Sequence, residues 1–487
     1  MITMKKIQLS KSKILSGIQC HKRLFLETHK PHLIDDDSGD DFRMKVGQQV
    51  TEVARELIPE GKLISLSEGY EQALKTTKKY LNESPSTPLF EASFEYEGTF
   101  IRSDLFSKLD DGYLLTEVKS AMSVKDYYKR DSAIQAWVIE RNGYKLDRVE
   151  IAIIDSKFVY SDAHDYNGLF AHEDITSEVN ILREEIPDII SELRKILNGK
   201  EPTTDPGSHC SKPFICPFYE YCVPVPKEYP VSILPNIRQV AGELIAEGIE
   251  DVRDIPDGRL SNPTQEKVRR VTIDGDAEID PRYKVDLDTF EYPRFYLDFE
   301  SMQFAIPVWE GTRPYQQLPF QWSCHIEKTL GVFEHEEFLD VSGADPTRSF
   351  TESLIKTLGN SGAIFVYSHF EKTQLNCMAQ FYPNLKPEID SIIDRLVDLL
   401  PLTREYYYHP QMKGSWSIKA VLPTVAPDLD YSQLEEVKDG IGAQVAFLEA
   451  IQPETTQDRK NEIESRLLEY CKLDTLAMVE LVDYFSR

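Results

Sequence analysis

The sequence contains no run of 18 apolar residues, so nothing in it reads as a membrane-spanning helix. Its start is basic (Lys5, Lys6, Lys11, Lys13, Lys22, Arg23) but lacks the apolar stretch of a secretory signal. The expectation is a folded cytoplasmic protein. Cysteine is scarce and odd in number, seven in 487 residues, which argues against a disulfide framework and leaves metal binding or free thiols. Basic charge is also in deficit. There are 55 Lys and Arg against 82 Asp and Glu, a net charge of -27, so a general basic footprint for nucleic acid is missing. A metal-dependent nuclease survives that exclusion, because its site needs clustered carboxylates and only a local basic groove. Internal repeats and low-complexity tracts are absent as well.

What is present is ordinary globular material, 41% hydrophobic and 10% aromatic. The length exceeds what a single core supports. Three regions are expected. Residues 1–222 mix helical and strand patterns and end at a cysteine cluster; residues 223–290 read as a helical connector, or a plain linker; residues 291–487 open on a strand-like run and close on a long helix.

In "TFIRSDLFSKLDDGYLLTEVKS" the pattern predicts two strands joined at "DDG". Asp104 lies on the first. Glu117 and Lys119 flank Val118 on the second, sharing one face. A buried strand that presents Glu and Lys together is costly unless something compensates them. A divalent cation held by Asp104 and Glu117 would do so, with Lys119 aimed at a water or phosphate. Glu117 and Lys119 alone could equally be an exposed pair.

Asp104 followed by Glu117-Val118-Lys119 resembles the PD-(D/E)XK nuclease motif. The helix "DSAIQAWVIERNGY" adds Gln135, at the spacing of the RecB-like subgroup. That resemblance implies a restriction-endonuclease-like fold with Asp104, Glu117, Lys119 and Gln135 catalytic, and Glu91 as an accessory metal acid. The subgroup's first-helix histidine is absent; Gln48 and Gln49 follow Gly47 instead. Its tyrosine after the glutamine is also missing.

"HCSKPFICPFYEYC" holds Cys210, Cys216 and Cys222, six apart. Zinc sites favour closer pairs, whereas iron–sulfur clusters accept irregular spacing of four thiolates. Cys20 is the candidate fourth ligand. One cysteine near the start and three near the end resemble the iron–sulfur RecB-like nucleases, and imply a 4Fe–4S cluster closing a long loop. Zinc and free thiols remain open. Cys324, Cys377 and Cys471 read as core cysteines.

In the last region "FYLDFES" puts Asp298 and Glu300 on one strand face. "LLEYCKLDTLAM" puts Tyr470 and Asp474 four apart on one helix face. Glu371 starts a helix after the strand "AIFVY". Together these resemble the DEDD exonucleases of the RNase H-like fold, which hold two metal ions about 4 Å apart. The resemblance implies Asp298, Glu300 and Asp474 as metal ligands, Tyr470 positioning the attacking water, and Glu371 where the family has Asp. Asp398 is a second candidate for that place. The aromatics of residues 305–327 and 406–423 could stack on bases, although core packing is the commoner reason for them.

The whole resembles uncharacterised bacterial proteins joining a RecB-like nuclease domain to an RNase H-like one. The expected activity is Mg2+- or Mn2+-dependent hydrolysis of phosphodiester bonds, exonucleolytic on single-stranded DNA, in repair or defence. RNA as substrate and a catalytically degenerate nucleic-acid-binding protein are the alternatives.

Overall fold

The computed structural model describes residues 9–34, 38–161, 164–223, 227–429, 431, 434 and 436–487. The chain is mixed α/β and divides into two compact units. One comprises Met1–Pro224 with Phe304–Tyr315, the other Val225–Gln303 with Gln316–Arg487. Two boundaries differ from expectation. The 223–290 stretch packs within the second unit, where Val231, Leu244 and Val268 share a core with Tyr296, Leu399 and Trp416. Residues Phe304–Tyr315 belong to the first unit, where Ala305 joins Val50, Val118 and Ile154. A short segment rich in Pro and aromatics carries too little periodicity for either assignment to be read from its letters.

The first unit is built on a seven-stranded sheet of β1 (Leu9–Ser10), β2 (Lys62–Leu63), β3 (Leu89–Tyr96), β4 (Thr99–Lys108), β5 (Tyr113–Lys119), β6 (Leu146–Ile154) and β7 (Phe170–Asp174). The order is β2-β3-β4-β5-β6-β7, with β1 parallel to the start of β4. The expected hairpin is β4 and β5, antiparallel, and β5 runs parallel to β6. Burial alternates along β4, so Ile101, Ser103 and Leu105 turn inward while Arg102 and Asp104 share the other face. Five helices matter for the site: α1 (Lys11–Gln19), α2 (His21–His29), α3 (Ser38–Glu56), α4 (Tyr70–Glu83) and α5 (Asp126–Arg141). Ser10 caps α1, accepting from the Lys13 amide.

The second unit has a five-stranded sheet in the order β11-β10-β9-β12-β13. A short two-stranded pairing of β14 (Tyr407–Tyr408) with β8 (Glu278–Ile279) stands apart from it. The strands are β9 (Arg294–Gln303), β10 (Gln317–Thr329), β11 (Val332–Leu339), β12 (Ala363–Val366) and β13 (Leu396–Asp398). β9 is central, antiparallel to β10 and parallel to β12. The long helix Gln457–Ser486 packs on β9 and β10 and buries Leu467, Tyr470, Asp474 and Met478. Gly362, entering β12, has φ 95°, and a Cβ there would meet the Pro293 carbonyl at 2.2 Å. The turn that sets β12 beside β9 therefore requires glycine.

The aromatic stretches are largely structural. Phe320, Trp322, Tyr407, Tyr408 and Trp416 are buried, and Trp322 Nε1 donates to Ser353 Oγ at 3.0 Å. These rings cannot stack on bases. Among the described residues, no helix is long and apolar enough to cross a membrane.

Candidate functional site

In the first unit β4, β5 and α5 converge on Glu117, which is 1% exposed. Its Oε1 accepts from Lys119 Nζ at 2.6 Å and from Lys11 Nζ at 2.9 Å, and its Oε2 from Gln135 Nε2 at 2.6 Å. Asp131 closes the circle, 3.1 Å from Lys11 Nζ and 3.0 Å from Lys119 Nζ. Spacing of four on α5 lets Asp131 and Gln135 reach the same carboxylate neighbourhood. Asp104 stands beside these five residues, its Oδ2 accepting from the Val118 amide at 2.8 Å.

Burial alone would lift the Glu117 carboxyl, but Lys11 and Lys119 outweigh it and hold the group well below the usual range. Asp104 goes the other way: burial and the neighbouring Glu117 push it up to about 7. Lys11 and Asp131 carried no sequence signal. Lys11 directly follows a two-residue strand as the first residue of α1, and Asp131 reads as an ordinary polar position of a helix.

Glu91, expected as an accessory metal acid, is engaged elsewhere. Arg55 Nη2 donates to its Oε1 at 2.6 Å, and Arg102 Nε is 3.4 Å from its Oε2. It still lines the same cavity as Asp104, Glu117 and Lys119. Gln48 lines that cavity as well, from α3.

Cys20 falls between α1 and α2, and it lines one small cavity together with Cys210, Cys216 and Cys222. Gln19 secures the approach, its Nε2 donating to the carbonyls of His209 and Phe214 at 2.7 Å each. Burial pushes the Cys216 and Cys222 thiols up.

In the second unit, Asp298 and Glu300 from β9 meet Asp474 from the helix Gln457–Ser486. Among the described residues these three form the only group of three or more His, Cys, Asp or Glu whose ligand atoms all lie within 4.8 Å of one another. Burial and mutual repulsion raise Asp298 well above the carboxylate range and Glu300 to about 8. Burial also lifts Asp474, to about 6, against the hydrogen bond from Tyr431. Glu371 heads the helix Phe370–Phe381, is 3% exposed, and its Oε2 has no hydrogen-bond partner. It lies close enough to raise Asp298. Asp398 instead caps the helix Leu399–Tyr406, accepting from the Leu400 amide at 2.9 Å.

Three neighbours were not foreseen. Tyr431 donates to Asp474 Oδ1 at 2.6 Å. Lys419 Nζ donates to the Tyr470 hydroxyl at 3.1 Å and lies over both tyrosine rings, 5.1 and 5.0 Å from their centres. Cys471, expected as plain core, donates its thiol to Asp298 Oδ2 at 3.6 Å.

Residues 295–417 match a domain of unknown function (DUF2779). No curated protein matches the chain. A solved structure titled "Crystal structure of SSO0001" aligns at 12% identity over 39% of this chain and 79% of that one, with a TM-score of 0.18.

Proposed function

We propose that this chain is a divalent-metal-dependent nuclease. Its main catalytic centre is then the second unit, an RNase H-like exonuclease of the DEDD kind acting on single-stranded DNA. One observation carries the reading: the ligand atoms of Asp298, Glu300 and Asp474 lie within 4.8 Å of one another. Three carboxylates at that spacing, two of them buried and Asp298 half-buried, repel unless a cation neutralises them. The unpartnered Glu371 Oε2 fits a further donor to the same cation site. Asp298, Glu300, Asp474 and Glu371 would hold Mg2+ or Mn2+, which when bound supplies Lewis-acid polarisation and an acidified water. The chain's own contribution is positional. Tyr431 orients Asp474, and Lys419 holds the hydroxyl of Tyr470, the residue assigned to orient the attacking water.

The first unit fits a RecB-like PD-(D/E)XK domain closed by a 4Fe–4S cluster. Sulfurs around one tetrahedral zinc ion sit about 3.8 Å apart. Here no three cysteine sulfurs among the described residues come within 4.8 Å of one another, although four line one cavity. Four cysteines around one cavity match the four thiolates that a 4Fe–4S cluster needs. A bound cluster would tie α1 and α2 to the distant 210–222 segment.

A second reading concerns the first unit alone. Both Glu117 oxygens are committed to Lys11, Lys119 and Gln135, which favours a nucleic-acid-binding module without turnover there. Asp104→Ala, Glu300→Ala and the double variant, assayed with Mn2+ on end-labelled single-stranded DNA and RNA, separate these readings. Glu300→Ala should abolish hydrolysis. Loss on Asp104→Ala as well would make the first unit catalytic, faster RNA cleavage would change the substrate, and a wild-type protein inert on every substrate would sink the nuclease reading.

A further inference from the structure

Glu91 adopts a left-handed backbone conformation (φ 57°) in the middle of β3. The ladder pairs Phe90 with Leu105 and Ala92 with Ser103, so Glu91 falls opposite Asp104. Two acids facing each other across a ladder repel, and the backbone irregularity persists only because something else fixes it. What fixes it is a pair of arginines from different elements, Arg55 of α3 and Arg102 of β4. Arg102 is itself braced by donating from Nη2 to the Ile64 carbonyl at 3.0 Å. Two guanidinium groups on one carboxylate leave a net positive charge. The Nε atoms of both arginines, moreover, make no hydrogen bond.

These arginines line a cavity of about 630 Å³, together with Asp104, Glu117 and Lys119. A space of that size accepts a nucleotide. Among its charged lining residues, Glu52, Glu91, Asp104 and Glu117 oppose Arg55, Arg102 and Lys119, so one divalent cation would turn the lining positive.

The geometry points to a phosphate clamp: Arg55 and Arg102 bind a phosphate group of a nucleic-acid strand, and Glu91 is the counter-ion that keeps the two guanidinium groups together until the phosphate displaces it. The planar fork of arginine suits bidentate phosphate recognition. This inference rests on the proposal that the chain handles nucleic acid, but it needs no turnover. Glu91 then serves the arginines and is not a metal ligand. The phosphate comes either from a strand terminus or from the internal backbone.

The test is binding of the full chain to one fluorescent single-stranded oligonucleotide, 5′-phosphorylated or 5′-hydroxyl, in Ca2+, over a salt series. Arg55→Met and Arg102→Met should each weaken binding about 10-fold, the scale of a lost charged hydrogen bond. The double variant should lower the salt slope by about 0.7, the value of one phosphate contact on a single strand. Arg55→Lys/Arg102→Lys guards against misfolding, since it keeps the charge and loses only the fork; it too should bind more weakly with an unchanged melting temperature. Lys79→Met, on the exposed face of α4, should change nothing, and Glu91→Gln should bind as tightly as wild type or tighter. Discrimination against the 5′-hydroxyl strand assigns the clamp to a terminal phosphate, and equal binding assigns it to the backbone. Folded double variants with wild-type affinity and slope overturn the clamp. So does a Glu91→Gln loss matching the arginine variants, which would make Glu91 the binding group. Pyrophosphate binding that depends on both arginines would uphold the clamp even if no strand is ever cleaved.

Discussion

Tyr431 donates its hydroxyl to Asp474 Oδ1 at 2.6 Å, and the same ring lies under the ammonium of Lys419. Tyr431 lies between the helices Ile418–Val425 and Gly440–Ala450 and Asp474 on the terminal long helix, so the bond ties one carboxylate of the trio to a distant part of the chain. Lys419, from the helix Ile418–Val425, adds a cation whose charge acts on that carboxylate and holds the Tyr470 hydroxyl. Burial and the charge of Asp474 push both tyrosine hydroxyls far up, so they stay protonated and act as donors.

Tyr431→Phe should therefore loosen Asp474 without removing it. Outer partners of metal-binding groups are worth about 10–100-fold in metal affinity or activity. A titration with Mn2+, read by calorimetry, should show weakening in that range while the fold melts near the wild-type temperature. An unchanged Mn2+ affinity would mean Asp474 is positioned by the helix alone.

A metal that binds only the folded trio must stabilise the fold by mass action, by about 2.7 kcal/mol at a hundredfold excess over its dissociation constant. Mn2+ should raise the melting temperature of the wild type and leave Asp298→Asn unmoved. The metal-free Asp298→Asn protein should melt higher than the metal-free wild type, because a carboxyl that burial and its acidic neighbours force to take up a proton on folding is replaced by a neutral amide. Equal responses to Mn2+ in both proteins would place the ion elsewhere.

How far the sequence could be read follows from the range of each interaction. Asp104, Glu117, Lys119 and Gln135 were legible because strand alternation and helix spacing are local rules, and the strands fall where the pattern puts them. Asp298, Glu300 and Asp474 were legible as separate acids whose meeting depends on β9 and the terminal helix packing together. Lys11, Asp131, Lys419 and Tyr431 reach their sites through tertiary packing with no periodic mark. Glu91 shows the opposite failure: an acid on the right strand, turned to two arginines by one left-handed residue. The aromatics read ambiguously because a buried ring and a stacking ring have the same letter.

Lys11 is the least expected participant in the first unit. Its ammonium bridges Glu117 and Asp131, both nearly buried. Removing one partner of such a network leaves uncompensated charge and costs about 3–5 kcal/mol. Lys11→Met should lower the unfolding free energy by that order in urea titration. A loss under about 1 kcal/mol would mean Lys119 alone suffices.

Cys20→Ser should remove iron and acid-labile sulfide from anaerobically prepared protein. It should also drop the melting temperature of the first unit, because the chain between Cys20 and Cys210 is no longer closed. Cys377→Ser, outside the shared cavity, should change neither. Colourless, iron-free wild-type protein would overturn the cluster, and zinc in its place would restore the single-ion alternative.

Two histidines paired across β10 and β11, His325 and His335, set a pH window. His325 Nδ1 pairs with Thr475 Oγ1 at 2.8 Å, and His335 Nε2 with Ser323 Oγ at 2.9 Å. Burial depresses both to about 4, with Lys472 facing each of them and Glu337 lying 3.8 Å from His335 Nδ1. A histidine whose folded value lies below its unfolded 6.5 is protonated first in the unfolded chain. Its stabilising contribution is complete above about pH 6.5, falls as the pH drops toward about 4, and then levels off. Denaturant unfolding of wild type and His325→Gln/His335→Gln across that interval isolates the effect, since the acids are common to both. The wild type should lose more stability than the variant between pH 6.5 and pH 4. Parallel pH profiles would mean the two imidazoles take up protons in the folded state as readily as in water.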